Sequence, residues 1–264
     1  MIRVEMRKQT FRSRTYIALG LMAGLPILLT LIIKFGSRHH NDRDFFALAS
    51  HSGINMPLAA LAAASSFLLV VIVSLFAGGA VSEEANWGSL RYLLLRPVQR
   101  GKVLSSKLAV AGILATLATV LVTISGLAAG TLAFGWHPVA SPDGVVFSQW
   151  TAVGKLAVST VYVAWCMAGI VSLAFMISTM TNAPMGAVAG SVGLSIVSQI
   201  LDAISSLGSL RTLLITHYWH AWEGLFANPT TSSDVLKGVL LQVPYVVVFL
   251  VLAWWWFDRR DILS

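Results

Sequence analysis

SEEANWGSLRYLLLRPVQRGKVLSSK, residues 82–107, is a polar stretch with seven charged side chains between two long uncharged runs. Ser82 suits the N-cap of a helix, because its hydroxyl can accept a hydrogen bond from a backbone N–H that the helix leaves free. Glu83 and Glu84 would then lie near the positive end of the helix dipole, and the proline at the far end would stop the helix. The stretch predicts either a short helix over residues 82–97 or an ordinary basic loop between two membrane spans.

Apolar side chains follow a helical period within this stretch. Trp87, Leu90 and Leu94 recur at three- and four-residue spacing, so they share one face of a helix. Glu84 and Arg91 fall on another face of that helix. Such an amphipathic helix can lie along a membrane surface or against a partner protein.

The stretch also resembles the signature E-x-x-x-G-T-L-R-x-L-L-x-x-P-V-S-R of ABC-2-type transporter permeases, the membrane subunits of ATP-binding-cassette exporters. The residues that carry the resemblance are Glu84, Gly88, Ser89, Leu90, Arg91, Leu93, Leu94, Leu95, Arg96, Pro97, Val98, Arg100 and Lys107. Ser89 replaces the usual threonine, and Gln99 replaces the usual serine. Asn86 stands where a second acidic residue is common, which leaves Glu84 as the better match to the acidic residue of the family.

The resemblance implies a fold and a set of partners. The fold has an interfacial N-terminal helix, six spans, a cytoplasmic coupling helix between the second and third spans, and re-entrant helices before the sixth. The partners are two copies of a separate ABC ATPase, which would bind ATP and magnesium, and a second permease that is identical or related. The residues implied for coupling to the ATPase are Glu83, Glu84, Trp87, Gly88, Leu90, Arg91 and Arg96.

Composition independently indicates a polytopic membrane protein. Hydrophobic residues make up 56% of the chain and charged residues only 11%, against about 25% charged residues in soluble domains. The excess of basic residues does not predict a nucleic-acid partner, because no basic stretch is interleaved with aromatic residues in a domain that could leave the membrane. The single cysteine, Cys166, lies in an apolar run and predicts neither a disulfide nor a metal cluster.

Six apolar runs predict six membrane-spanning helices, so the fold class is all-α, with one permease domain over residues 1–264. The predicted spans are residues 16–33, 57–81, 108–134, 152–179, 185–201 and 238–257. Residues 1–15 place five basic side chains among apolar ones, which suits an interfacial helix on an anionic leaflet of the lipid bilayer or a plain topogenic tail.

The distribution of basic residues predicts the orientation. If both termini are cytoplasmic, the inner segments hold twelve lysine and arginine residues, against five or six in the outer loops. This count favours a multi-pass protein of a bacterial plasma membrane, with both termini and residues 82–107 on the cytoplasmic side.

Residues 202–237 are too polar to span a membrane and too apolar for a free loop, which predicts interfacial or re-entrant helices on the outer side. Four residues in this segment are candidates for a gate or substrate exit: His217, Tyr218, Trp219 and Trp222. The same side chains can instead anchor the segment at the level of the lipid headgroups.

Glycine pairs at four-residue spacing allow helices to approach closely. The pairs are Gly20 and Gly24, Gly126 and Gly130, and Gly186 and Gly190. Each pair predicts packing within the bundle, and Gly186 with Gly190 could alternatively form a dimer face.

Motifs of catalysis are missing from the sequence, which contains no P-loop, no H-E-x-x-H, no C-x-x-C and no G-x-S-x-G. The adjacent His39 and His40 lack the spacing that places two metal ligands on one helix face, so no metal site is predicted. No ionisable residue lies in the middle of an apolar run, which argues against an ion-coupled pump. Gln199 and Asp202, near the end of the fifth run, are the only candidates for a polar site.

These observations favour the permease subunit of an ABC exporter, which moves an amphipathic or lipid-like substrate outward while a partner chain hydrolyses ATP. The alternative is a non-transporting assembly or sensor subunit that recruits a soluble regulator through residues 82–107. A membrane-embedded enzyme is a weaker third hypothesis, because no paired carboxylates and no nucleophile with a base are evident.

Overall fold

A computed structural model of the chain describes residues 2–35, 48, 50–86, 100–141, 144–227 and 230–259. Six helices in these residues are long and apolar enough to cross a membrane. The only strands described there form a two-stranded hairpin. The all-α fold class that the sequence predicts is therefore confirmed.

The helices are α1, Ile2–Thr10; α2, Ser13–Phe35; α3, Asn55–Asn86; α4, Arg100–Phe134; α5, Gln149–Met180; α6, Pro184–Ala203; and α7, Ser233–Arg259. Helix α3 contains one π-helical turn, Ala64–Leu68. The hairpin pairs β1, Val139–Ala140, with β2, Val146–Phe147. Two 3-10 segments, Ser205–Leu213 and Ala221–Phe226, lie between α6 and α7.

Six consecutive spans that alternate in direction give the bundle two ends. One end carries α1, the start of α2, the end of α3 and the start of α4, and we call it the charged end. The other end carries the hairpin and the two 3-10 segments, and we call it the aromatic end. Segments that are far apart in the sequence therefore meet at each end.

Helices α3 and α5 form the centre of the bundle. Helix α5 packs against α3 and α7, while α3 also packs against α4 and α6. About two thirds of the most apolar part of each central helix is buried (61% in α3 and 67% in α5), against 22% in α2 and 11% in α7. The outer helices α2 and α7 leave apolar side chains such as Ile17 and Val247 exposed, as lipid-facing helices do.

The structure corrects the boundary that the sequence predicts at Ser82. Helix α3 runs without a break through this residue to Asn86, so Ser82 is not an N-cap. Its hydroxyl instead donates a hydrogen bond to the carbonyl of Gly78 within the same helix, at 2.6 Å. The predicted helix over residues 82–97 therefore does not begin at Ser82, and its part beyond Asn86 lies outside the described residues.

Only one of the three glycine pairs packs closely within the chain. A Cβ on Gly126 would lie 2.9 Å from Cα of Pro57, and a Cβ on Gly130 would lie 2.3 Å from the carbonyl oxygen of Gly53. These two glycines let α4 approach the start of α3. Gly20 and Gly24 have open space around them, so their predicted role in packing within the bundle is wrong.

Candidate functional site

Seven charged side chains meet at the charged end, and we call them the ionic cluster. They are Glu5, Lys8, Arg12, Arg14, Glu83, Glu84 and Lys107. They come from α1, the turn after it, α2, α3 and α4. Three carboxylates face four cations, so most of the charge is neutralised within the cluster.

The centre of the ionic cluster is the pair between Lys107 and Glu84. Their side chains approach to 2.8 Å and are only 2% and 4% exposed. The same ammonium group of Lys107 lies 3.1 Å from the carboxylate of Glu5 on α1. Because a buried charge without its partner is strongly destabilising, removing one of these groups would cost roughly 3–5 kcal/mol of stability.

Glu83 holds the beginning of α2. Its carboxylate pairs with the guanidinium groups of both Arg12 and Arg14. A Cβ on Gly79, one helical turn earlier, would lie 2.5 Å from the Glu83 carboxylate and 3.0 Å from the Arg14 guanidinium. Because Gly79 has no side chain, the Glu83 carboxylate and the Arg14 guanidinium have room to pair.

Helix α1 is fixed at the charged end by contacts from its last turn. Lys8 pairs with Glu84 of α3, and the buried Gln9 accepts a hydrogen bond from Arg14 on its side-chain oxygen at 3.2 Å. The hydroxyl of Thr15 donates to the carbonyl of Gln9 at 2.7 Å. These bonds hold α1 against the end of α3 and the start of α2, and the helix also packs against α4.

Helix α5 joins the same end through one serine. The hydroxyl oxygen of Ser178 accepts hydrogen bonds from the backbone N–H groups of Val81 and Ser82, at 3.1 and 3.0 Å. These hydrogen bonds therefore join the last turns of α5 and α3 at the two residues that precede Glu83.

The predicted coupling residues fall into two groups in the structure. Glu83 and Glu84 are 7% and 3% exposed, so their carboxylates bind this chain's own cations rather than forming an open surface for a partner. The remaining five residues, Trp87, Gly88, Leu90, Arg91 and Arg96, lie outside the described residues, and their coupling role stays a prediction.

Reasoning from the sequence missed the four cations that pair with Glu83 and Glu84. A signal for them was present, since alternating spans place residues 2–14, 83–84 and 107 at the same end of the bundle. An acidic pair at the end of one span and several basic residues at the start of another are complementary. The contact itself depends on how α1 folds back, which no local pattern specifies.

At the aromatic end, the predicted gate residues divide between core and surface. Trp219 and Trp222 are 2% and 0% exposed and pack in the hydrophobic core. His217 and Tyr218 are half-buried. The Nδ1 atom of His217 lies 2.5 Å from the carboxylate of Asp202, which ties the segment to the end of α6.

The backbone of this non-spanning segment is hydrogen-bonded by side chains of α5 and α7. Tyr162 donates to the carbonyl of Tyr218 at 2.6 Å, and Gln242 donates to the carbonyl of Ile215 at 2.9 Å. Irregular backbone at the level of a membrane requires such partners. These contacts favour an anchored segment, and a role in substrate exit stays a prediction.

Gln199, which the sequence singles out, contacts the π-helical turn of α3. Its amide donates to the carbonyl of Ser66, which lies in that turn, at 3.1 Å. The Ser66 hydroxyl also lies 3.3 Å from His220 Nε2. These contacts connect α3, α6 and the second 3-10 segment at one point.

Gly186 and Gly190 lie on the outer side of α6. Gly186 is exposed and Gly190 half-buried, and a Cβ on either would meet only ordinary contacts at 3.5 Å, with Ala183 and Ile177. The pair is therefore not needed for close packing within the chain, and its role as a dimer face stays a prediction.

Comparison with known proteins agrees with the membrane architecture. Residues 27–263 match DUF2705, a protein family of unknown function. The uncharacterized membrane protein YdbK of Bacillus subtilis (strain 168) is 25% identical over 259 residues, which cover 95% of this chain and 97% of YdbK. The uncharacterized protein YhcI of the same organism is 26% identical over 209 residues, which cover 72% of this chain and 63% of YhcI. The chain is thus a multi-pass membrane protein.

Proposed function

We propose that this chain, which belongs to the DUF2705 family of proteins of unknown function, is the membrane-spanning permease subunit of an ABC exporter. Two copies of a separate ATPase would supply the energy, and a second permease, identical or related, would complete the transport path. The substrate would be amphipathic or lipid-like, in keeping with the apolar bundle.

The observation that carries this proposal is the position of the ionic cluster. Residues 87–99 connect the end of α3 to the start of α4 and contain most of the ABC-2 signature. The buried pair between Glu84 and Lys107 ties these two helices to each other beside that connection. A push on residues 87–99 would therefore move α3 and α4 together instead of separating them.

The same contacts pass a displacement to other helices. Glu5 and Lys8 attach α1 to the pair, and Glu83 attaches the start of α2 through Arg12 and Arg14. Ser178 attaches α5. In the proposed mechanism, closure of the ATPase dimer pushes on residues 87–97, and the charged end moves as one body to open a path at the aromatic end.

In this proposal Glu83 and Glu84 are positioning residues. They hold the helices that flank the signature, whereas Arg91, Arg96 and Trp87 make the contact with the ATPase. The resemblance supplies those three residues, and the proposed orientation with residues 82–107 in the cytoplasm gives them access to a soluble partner.

The test is affinity purification of the tagged chain from bacterial membranes under mild detergent. We expect an ABC ATPase in equimolar amount, and we expect Arg91→Glu to reduce its recovery at least tenfold, because reversal of an interface charge is strongly unfavourable. Lys102→Glu, an exposed cation on α4 outside the coupling set, is the matched control.

Two outcomes would contradict the proposal. Recovery of the chain with no nucleotide-hydrolysing partner would favour the non-transporting assembly or sensor subunit. Equal loss of the ATPase in the Arg91→Glu and Lys102→Glu variants would show that general charge, and not the signature, recruits it.

A further inference from the structure

Helix α1 has an unusual division of side chains between its two faces. The inward face carries Glu5, Met6 and Gln9, which contact the bundle. The outward face leaves Val4 73% exposed, and Phe11, the first residue after the helix, is 70% exposed beside it. A helix that faced only water would not favour large apolar side chains on its outer side.

Cations lie among these apolar side chains. A surface groove of about 560 Å³ is lined by Arg3, Val4, Arg7, Lys8 and Phe11. The Arg7 guanidinium lies 5.7 Å from the centre of the Phe11 ring. Lys8 is committed to Glu84, whereas Arg3 and Arg7 form no ion pair within the part of the chain that the structure describes.

Arg3 and Arg7 are four residues apart and project from the same side of α1. Like charges at this spacing destabilise a helix when nothing lies between them. Guanidinium groups pair well with phosphate, which accepts two parallel hydrogen bonds from each. The outward face thus places two guanidinium groups where one phosphate could pair with both, and apolar side chains lie beside them.

The position of α1 relative to the membrane indicates what fills this face. Only Phe11 and Arg12 separate α1 from α2, and the first exposed large apolar residues of α2, Tyr16 and Ile17, are 61% and 64% exposed. If α2 crosses the membrane, these side chains contact lipid. Because the connection is short, α1 would then lie at the level of the headgroups.

We propose that the outward face of α1 is a binding site for an anionic phospholipid. Arg3 and Arg7 bind the phosphate of its headgroup, while Val4 and Phe11 insert beside its acyl chains. The site is independent of the proposed export function, since it requires no ATPase. Because the inward face of the same helix belongs to the ionic cluster, bound lipid also stabilises that cluster.

A protein surface is the competing occupant, because a cationic helix with exposed aromatic residues can also bind an ATPase. Lipid is favoured because Val4 and Phe11 line one groove and only four residues separate Phe11 from the exposed Tyr16 of α2. This short connection keeps the groove close to the surface that α2 would present to lipid.

The test uses the full chain purified alone in a neutral detergent. Bound lipid is counted by native mass spectrometry while phosphatidylglycerol or phosphatidylcholine is added. We expect tighter binding of phosphatidylglycerol, and an affinity about thirtyfold lower in Arg3→Gln/Arg7→Gln, since two cations at an anionic surface are lost. Arg3→Lys/Arg7→Lys should retain most of the preference, because both charges remain.

Lys34→Gln/Lys102→Gln is the matched control, because it removes the same charge from two other exposed positions. It should bind phosphatidylglycerol as the wild type does, and equimolar inorganic phosphate should not compete with the lipid. An unchanged affinity in Arg3→Gln/Arg7→Gln would overturn the proposal. Loss of a co-purified ATPase with normal lipid binding in that variant would also overturn it and assign the face to a protein partner.

Discussion

At the charged end, side chains that are far apart in the sequence meet as ion pairs, whereas at the aromatic end side chains donate hydrogen bonds to backbone carbonyls. Lys107 and Glu5 are 102 residues apart in the sequence, and their contact depends on two charges of opposite sign. Tyr162 at the other end bonds the carbonyl of Tyr218, a group that every residue type carries. The charged end is therefore defined by particular side chains, and the aromatic end by the path of the backbone.

This difference has a mechanical consequence. A buried charge that loses its partner is strongly destabilising, so the charged end should lose several contacts at once when one charge is reversed. Hydrogen bonds to the backbone are individually modest and distributed, so the aromatic end should weaken in small steps. Four predictions test the comparison, from the largest expected effect to the smallest.

The largest effect is expected for Glu84→Arg. The new guanidinium would face Lys8 and Lys107 in a buried site, and the loss should reach roughly 5 kcal/mol or more, beyond the cost of simply removing one partner. In proteoliposomes with its ATPase the variant should insert and yet not transport. Thermal unfolding and a transport assay measure the two effects.

The double variant Glu84→Lys/Lys107→Glu is the control for this prediction, because it restores opposite charges at the same two positions. We expect it to recover part of the lost stability. Wild-type stability and full transport by Glu84→Arg at normal expression would contradict both the ionic cluster and its proposed role.

At the aromatic end the largest expected effect is that of Trp222→Ala. The side chain is fully buried, and its loss should cost about 3–5 kcal/mol through the cavity that it leaves. Trp255 lies on α7 and is 46% exposed, so Trp255→Ala should cost far less. Equal losses of unfolding free energy in the two variants would contradict the assignment of Trp222 to the packed core.

Gly79→Ala should have an intermediate effect at the charged end. The added methyl group would collide with the carboxylate of Glu83, for an expected cost of about 1–3 kcal/mol. Gly112→Ala on α4 meets open space, and it should be neutral or slightly stabilising because alanine favours a helix. Identical melting temperatures for both variants would show that Glu83 can move without loss.

The smallest effect is expected for Tyr245→Phe. The phenol donates a hydrogen bond to the carbonyl of Leu213 at 2.5 Å, and its removal should cost about 0.5–1.5 kcal/mol. Tyr16→Phe, in which the tyrosine is 61% exposed, is the control. A loss above 3 kcal/mol for Tyr245→Phe would show that the aromatic end is also held by a few decisive contacts.

The sequence predicted the number and order of the long apolar helices, but the second helix extends beyond the run assigned to its span. The predicted run 57–81 stops at the first charged residues, whereas α3 continues to Asn86. Hydropathy falls at a charged residue, but a helix continues as long as its backbone bonds form and its charges have partners. Glu83 and Glu84 have such partners in the ionic cluster.

For the non-spanning segment, too, the sequence predicted one feature and left another open. Its composition alone predicted helices that do not cross the membrane, and two 3-10 segments occupy this position. The sequence left its aromatic residues open to assignment as a gate or as an anchor, and it favoured the anchor. The buried positions of Trp219 and Trp222 distinguish packing from exposure, which no residue count can do.

The sequence by itself determined that this protein has six helices long and apolar enough to cross a membrane, because a bilayer requires long apolar runs and each run is a local property. It also placed the charged segments at one end through the alternation of spans. Only the tertiary structure decided which charges meet. That choice depends on how α1 folds back across α3 and α4, and so on contacts between residues about a hundred positions apart.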